Sequence, residues 1–178
     1  DGTGPIGWES PWGRGRPGWH IECSTMIQET LGSHIDIHGG GIDLVFPHHE
    51  NEIAQAEAAT RESPFVSYWT HTGLILTEGE KMAHSLGNFT TVTDVLSNVT
   101  PDVLRLYLLS VHYRSPLHFS SQTLQQTQTG YERLLGVLRT HGQDKSTDNN
   151  VLFQSGLEVR ETFESAMNDD FNTSLSRW

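Results

Sequence analysis

Three consecutive glycines between a strand pattern and a proline-led helix constrain the fold of this 178-residue chain more than any other feature. Residues 34–38 (HIDIH) alternate polar and apolar side chains, which is typical of a strand. The strand runs into residues 39–41 (GGG), where the backbone can come close to another group. Pro47 then opens the alanine- and glutamate-rich segment 48–60, which predicts a helix. This order of elements predicts an α/β fold for the first half of the chain.

The remaining elements follow from composition and periodicity. The glycine-, proline- and tryptophan-rich start, residues 1–18, predicts an irregular loop. Further helices are predicted over 23–31, from Pro101 through Val111, over 120–140 and over 151–167. The pattern also predicts a strand over 73–76, a polar loop over 77–88 and a polar linker over 141–150. We therefore divide the chain into an α/β segment, a linking helical segment and the start of a truncated helical bundle: 1–90, 91–140 and 141–178.

Charge and composition narrow the function classes. The chain carries 11 basic and 22 acidic residues, a formal net charge of −11, which disfavours binding nucleic acid by phosphate neutralisation alone. Cys23 is the only cysteine, so no internal disulfide is possible. No apolar run approaches the roughly 18–20 residues needed to cross a bilayer, and no secretory signal opens the chain. The absence of an initial methionine suggests an excised piece of a longer protein.

A metal site is one interpretation of Cys23, His48 and Glu52. His48 and Glu52 are four residues apart on a predicted helix, so they share one face. Imidazole, carboxylate and thiolate are zinc ligands in proteins. The alternative is a buried thiol beside an ordinary polar helix surface.

Two further segments have the composition of a ligand site. After the strand, glycine N–H groups can face a ligand at the carboxyl edge of a sheet, with His38 and Asp43 contacting the same ligand. In the polar loop that follows the second strand, Lys81 can stabilise a phosphate as a mobile point charge. The alternatives are a tight turn without a ligand and a solvated loop.

Six sequence stretches, in one order over nearly the whole chain, carry a family resemblance. They are GRPGWHIECS (15–24), DIHGGGIDLVFPHHENEIAQAEA (36–58), YWTHTG (68–73), KMAHSLGNF (81–89), DVLRLYLLSVHYRSPLHFS (102–120) and MNDDFNT (167–173). Together they resemble the cysteinyl-tRNA synthetases, which are class I aminoacyl-tRNA synthetases. The resemblance implies that the α/β part is the second half of a Rossmann-type nucleotide-binding domain, followed by an all-helical segment.

The resemblance also implies an activity and its participants. The family activates L-cysteine with ATP (and Mg²⁺) to cysteinyl-adenylate and transfers the cysteinyl group to tRNA(Cys). A zinc ion holds the substrate thiolate, and the expected location is cytoplasmic, with no membrane partner. In this sequence Cys23, His48 and Glu52 match three of the four zinc ligands of the family.

Further site residues are implied only by the resemblance. Trp19 and His38 match positions that line the amino-acid pocket. The loop that holds the adenylate is matched by Gly39, Gly41 and Asp43. Residues 81–85 match the KMSKS loop beside the leaving pyrophosphate, so Lys81 and His84 are the expected catalytic and nucleotide-binding residues of that loop.

The chain departs from the family in three ways. It contains neither a HIGH motif nor a second cysteine, so the amino-terminal half of the catalytic domain is an expected partner and the isolated chain is expected to be inactive. The loop reads KMAHS, with Ala83 and His84 at the family's first serine and second lysine. The chain also stops before the family's anticodon-binding domain, so strong tRNA binding is not expected.

Two other interpretations stay open at this point. A mycothiol cysteine ligase resembles the synthetase and uses the same zinc and adenylate chemistry, but joins cysteine to an amino sugar. A non-catalytic paralogue or fragment is the other, and the KMAHS loop favours it.

Overall fold

A computed structural model describes residues 6–141 and 150–175. Most of the predicted linker, 142–149, and the first five residues of the predicted amino-terminal loop therefore lie outside the described part. The chain forms two compact units, Asp1–His71 and Thr72–Trp178, and each is described by itself below.

The first unit is built around a strand–helix–strand motif. Helix α1, Trp19–Leu31, is followed by strand β1, Ile35–Gly41, helix α2, Glu50–Thr60, and strand β2, Val66–Thr72. β1 pairs with β2. The N–H of Ile35 donates to the carbonyl of Phe65 (3.1 Å), and a Cβ built at Gly39 would lie 3.4 Å from the carbonyl of Thr70. The two strands therefore run in the same direction, with α2 connecting them.

Helix α1 begins four residues earlier than the sequence predicts. Gly18, in an extended conformation, precedes it, and Glu22 places a negative charge in its first turn, where the helix dipole favours one. Its predicted end is confirmed, because Gly32 follows with φ 100°. The earlier start puts Trp19 and His20 on the same helix as Cys23.

The predicted helix 48–60 begins later, at Glu50. A short turn, Ile42–Leu44, and a wide helical turn, Val45–His49, come first. Phe46 interrupts that turn with an extended backbone (φ −133°, ψ 132°), because a residue before proline is sterically excluded from the helical region. The late start directs both His48 and His49 inward, where both are buried.

Strand β2 is missing from the sequence prediction. Its segment, VSYWTHT, is rich in β-branched and aromatic residues, which favour strands. Its first residues, with the end of the preceding loop, supply much of the core of this unit. That core consists of Ile35, Ala56, Phe65 and Val66, with Ile27, Ile53 and Trp69 packed against it.

The second unit contains a small three-stranded sheet of order β4–β3–β5, with strands Ile75–Thr77 (β3), Glu80–Lys81 (β4) and Leu117–His118 (β5). β3 and β4 form an antiparallel hairpin, so the predicted polar loop over 77–88 is wrong at Thr77 and at Glu80–Lys81. β5 pairs in parallel with β3, and the predicted purely helical second half is therefore wrong at residues 117–118. A turn that brings Gly73 against residues 113–116 makes this pairing possible.

Within its described residues, the second unit also contains four α-helices: Val92–Leu96 (α3), Pro101–Leu108 (α4), Ser121–His141 (α5) and Asn150–Asn168 (α6). The predicted helices after Pro101 and over 120–140 and 151–167 are confirmed to within a few residues. Their core is Val95, Val103, Tyr107, Leu117 and Leu124. Tyr107 also donates its hydroxyl hydrogen to the carbonyl of His118 (2.7 Å), which ties α4 to β5. No helix in the described part is both long and apolar enough to span a membrane.

An exposed cluster around Asp170 links the end of α6 to the segment after α4. Arg114 and the Tyr113 hydroxyl both donate to the Asp170 carboxylate, and these hydrogen bonds lower the pKa of Asp170 to about 2. Because the folded-state pKa lies below the ordinary value near 4, this stabilisation is complete above about pH 4. It is lost as the pH falls from about 4 to about 2.

We expect Asp170→Asn to remove this part of the acid dependence of stability, measured by urea unfolding across that pH range. Asp169→Asn, at the exposed neighbour, is the control and should leave the dependence unchanged.

Candidate metal and substrate site

Cys23, His48 and Glu52 come together in the first unit. Cys23 lies on α1, His48 in the turn before α2, and Glu52 in the first turn of α2. Their ligand atoms all lie within 4.8 Å of one another. The packing of α1 on α2 sets this geometry, and its interface includes a hydrogen bond from the buried Ser24 hydroxyl to Gln55 Oε1 (2.8 Å).

Glu52 is the centre of the cluster and is fully buried, at 0% exposure. Its Oε2 atom lies 2.8 Å from His38 Nε2, at hydrogen-bond distance. Its Oε1 atom lies 2.7 Å from His48 Nε2, but among the described residues no donor is aligned to give Oε1 a hydrogen bond. A buried carboxylate oxygen without a donor is costly, and a cation would satisfy it. The residues present therefore fit a metal ion.

The pKa of the Cys23 thiol is also consistent with a cation site. Partial burial raises the pKa of the Cys23 thiol, and the negative charges of Glu52 and Glu22 raise it further. Without a cation the sulfur therefore keeps its proton. A coordinated divalent cation reverses this preference, because a thiol ligand binds as the thiolate. One thiolate, one imidazole and one carboxylate form a donor set suited to zinc.

A second group of possible ligands shares Glu52. The ligand atoms of His38, His49 and Glu52 also lie within 4.8 Å of one another. His49 is 3% exposed, and its Nδ1 lies 2.8 Å from Nε2 of His71. Burial, with a smaller contribution from His38, lowers the pKa of His49 to about 4, so its imidazole is neutral near pH 7.

The sequence analysis did not single out His49 or His71 as site residues. The residue in the sequence that could have indicated a buried side chain here is Gly40. A Cβ at Gly40 would lie 2.8 Å from Cε1 of His49 and 2.9 Å from Cδ1 of Leu44. The glycine run thus makes room for an imidazole ring at its centre.

The other predicted residues of the glycine loop lie where β1 ends. Gly39 faces the neighbouring strand, and Gly41 is the last residue of β1. Asp43 lies in the short turn that follows. Their predicted role in holding a nucleotide stays a prediction.

Two tryptophans border the cluster of histidines around Glu52, which consists of His38, His48 and His49. The Trp19 ring lies 4.3 Å from the His48 ring, centroid to centroid, and is otherwise largely exposed. Trp69, which the sequence analysis did not single out, stacks on His38, with ring centroids 4.8 Å apart. The structure thus brings Trp19 and His38, the two residues predicted for the amino-acid pocket, to the edge of one cluster.

The KMAHS segment lies in the second unit and has a defined conformation. Lys81 ends strand β4, and His84 begins the short turn His84–Leu86. Asn88 closes the loop, because its Oδ1 accepts from the Ala83 N–H (2.9 Å) and its amide donates to the Lys81 carbonyl (3.0 Å). The His84 ring packs against Phe89, with ring centroids 3.6 Å apart.

Comparison with known proteins assigns the family. Residues 2–129 match the family described as tRNA synthetases class I (C) catalytic domain. The chain belongs to this synthetase family. The predicted resemblance to the cysteinyl-tRNA synthetases is confirmed by curated relatives named Cysteine--tRNA ligase. The relative from Persephonella marina is 51% identical over 176 residues, covering 96% of this chain and 36% of the relative. The relative from Bacillus cytotoxicus is 52% identical over 177 residues, covering 96% and 38%.

A solved synthetase structure has a related fold. The LeuRS chain in the ternary complex of Agrobacterium radiobacter K84 agnB2 LeuRS with tRNA and LeuAMS aligns over 96% of this chain, with a TM-score of 0.67 and 14% identity. The alignment covers 28% of the LeuRS chain. The mixed α/β fold of this synthetase chain thus has a counterpart in LeuRS. The chain spans little more than a third of the length of the curated relatives it matches.

Proposed function

We propose that the chain is part of a cysteine–tRNA ligase. The reaction is the ATP-dependent activation of L-cysteine to cysteinyl-adenylate, followed by transfer of the cysteinyl group to tRNA(Cys). The observation that carries this proposal is the cluster of Cys23, His48 and Glu52 in a chain about half identical to proteins of that name. ATP with Mg²⁺, L-cysteine and tRNA(Cys) are the proposed substrates and partners, and the proposed location is cytoplasmic.

Cys23, His48 and Glu52 are the residues that would hold a zinc ion. A hydrophobic pocket alone separates near-isosteric amino acids such as cysteine and serine by only about 1–3 kcal/mol. Bound to these three side chains, zinc would supply a soft Lewis acid that prefers the thiolate of cysteine to the hydroxyl of serine. The burial of His48 and Glu52 limits access of water that would compete for these ligand atoms.

The remaining roles are proposals, and the positions of the side chains support them. Trp19 and His38 border the cluster and are proposed to line the amino-acid pocket. The end of β1 is proposed to hold the adenylate through Gly39, Gly41 and Asp43. Lys81 and His84 are proposed to contact the phosphates of ATP.

The strand–helix–strand motif of the first unit supports the assignment of a Rossmann-type fold. We propose that it belongs to the second half of a Rossmann-type domain, with the segments 1–90, 91–140 and 141–178 as functional divisions. Ile37 on β1 and Tyr68 on β2 are 68% and 72% exposed, which is unusual for apolar residues of a sheet. The amino-terminal half of the same catalytic domain is the proposed cover for these side chains.

The test is cysteine-dependent exchange between ATP and pyrophosphate. A full-length version of the protein should catalyse the exchange with L-cysteine, and the 178-residue chain alone should not. In the full-length protein, transfer of cysteine to tRNA rather than to glucosaminyl-inositol would support the synthetase and reject the mycothiol ligase. Absence of exchange by the full-length protein would favour a non-catalytic paralogue and contradict the proposal.

His84→Lys in the full-length protein should raise the rate of cysteine activation several-fold. A lysine ammonium carries its charge at neutral pH, whereas an imidazole is charged only in part. The added cation is expected to stabilise the leaving pyrophosphate. The measurement is the exchange rate at saturating cysteine, with His118→Lys, on β5, as the control for a general effect of charge. A rate that stays the same or falls would count against a phosphate role for this loop position.

A further inference from the structure

We propose that His20 is a positioning residue that sets the tautomer of His48 and so presents the Nε2 lone pair of His48 to the metal. This inference rests on the proposed zinc site and adds a residue to it. His20 lies in the first turn of α1, three residues before Cys23. Metal-bound imidazoles are commonly held by a hydrogen bond to the second ring nitrogen, which fixes both orientation and tautomer.

The contact between the two rings is short and specific. Nδ1 of His20 lies 2.7 Å from Nδ1 of His48, within hydrogen-bond distance. The rings are tilted by 58°, with centroids 4.9 Å apart, so the contact is between nitrogens rather than a face-to-face stack. Two neutral imidazoles can share such a contact only if one Nδ1 carries the hydrogen and the other accepts it.

Each choice of donor has a consequence at the other end of His48. If His20 donates, the Nε2 of His48 carries a hydrogen and cannot bind a metal. If His48 donates from Nδ1, its Nε2 has a bare lone pair, 2.7 Å from Glu52 Oε1. The lack of an aligned hydrogen bond at Oε1 fits the second arrangement. That arrangement leaves two lone pairs facing each other, which a cation between them would stabilise.

The two arrangements contain the same number of protons. In passing from the first to the second, the hydrogen of His48 moves from Nε2 to Nδ1, and that of His20 moves from Nδ1 to Nε2. His48 is 4% exposed and is covered by the Trp19 ring, so solvent is a poor substitute for His20 as the acceptor.

Two variants of His20 separate a hydrogen-bonding role from a packing role. His20→Phe keeps a ring but removes the acceptor. His20→Asn loses the ring but keeps an oxygen acceptor near the position of Nδ1. We expect His20→Phe to weaken zinc binding about tenfold, as for loss of other hydrogen-bond partners of metal ligands. His20→Asn should bind zinc within about threefold of the parent. Zinc affinity is measured by competition with a chromogenic chelator.

Nitrogen-15 NMR of the histidine side chains is the second readout. In the metal-free parent and in His20→Asn, the proposal predicts that His48 carries its proton on Nδ1, and in His20→Phe that the proton shifts to Nε2. An unchanged His48 tautomer in His20→Phe would overturn the proposal. Equal loss of zinc affinity in both variants would also overturn it, because packing would then explain the effect. If the parent binds no zinc, the proposal of a zinc site is contradicted. The metal-free spectra then still decide whether His20 sets the tautomer of His48.

Discussion

Replacing Glu52 with glutamine is expected to lower the zinc affinity of the chain on the order of 100-fold or more. The substitution keeps the size of the side chain but removes the negative charge that faces His48 and Cys23. An amide also places a donor or a weaker acceptor at Oε1, the buried oxygen that lacks an aligned hydrogen bond. The measurement is chelator competition on the purified 178-residue chain.

Glu50 offers a matched control on the same helix. It lies in the first turn of α2 with Glu52, but its side chain is exposed. Glu50→Gln removes the same formal charge and should change zinc affinity by less than about threefold, because exposed charges are screened by solvent. Equal effects of the two substitutions would mean that net charge, rather than the buried carboxylate, governs metal binding.

Replacing Gly73 with alanine is expected to destabilise the second unit by about 3 kcal/mol or to prevent it from folding. A Cβ at this position would lie 2.2 Å from the carbonyl oxygen of Ser115 and 2.3 Å from its carbonyl carbon. Both are backbone atoms, so no side-chain rotation can relieve the clash. The N–H of Gly73 also donates to the carbonyl of Tyr113 (2.7 Å), and a shift of the backbone would break that hydrogen bond.

Gly130 provides a control of opposite sign. It lies inside helix α5, and a Cβ built there has no heavy atom within 4 Å. Gly130→Ala should therefore stabilise the chain by about 0.5–1 kcal/mol, because alanine loses less backbone entropy in a helix. Both values are measured by urea unfolding. A free energy of unfolding for Gly73→Ala within about 0.5 kcal/mol of the parent would contradict the close approach of the two segments.

The metal cluster could be predicted in part because one of its links is local. His48 and Glu52 are four residues apart, and the helix that places Glu52 is evident from composition. Cys23 is separated from them by a strand and a turn, so only the packing of α1 on α2 brings it within reach. From the residues alone, a metal-binding Cys23 was therefore one of two open interpretations, and the family resemblance favoured it.

The histidine neighbours of the cluster could not be predicted from periodicity. His49 is buried because the backbone leaves the helical path at Phe46, and the helical pattern of 48–60 does not show that break. His20 was overlooked because α1 was expected to begin after it. In both places the ends of elements, which are the least certain part of a sequence prediction, decide which side chains meet.

Strands β2, β4 and β5 show a second reason why sequence patterns miss elements of this fold. β4 and β5 have two residues each, too few for an alternating pattern to appear. β2 is longer, but polar and aromatic side chains follow one another in SYWTHT without clear alternation. Pairing with a distant partner, Leu117 with Ile75 for example, is what makes these segments strands.

The most direct test of the central claim uses cobalt(II) in place of zinc. Cys23 is the only thiol of the sequence, so a sulfur-to-cobalt charge-transfer band of the loaded chain reports on that residue alone. We predict such a band in the parent, no band in Cys23→Ser, and a further increase when L-cysteine, but not L-serine, is added to the parent. No band in the parent, or equal responses to cysteine and serine, would contradict a metal site that selects the substrate thiolate.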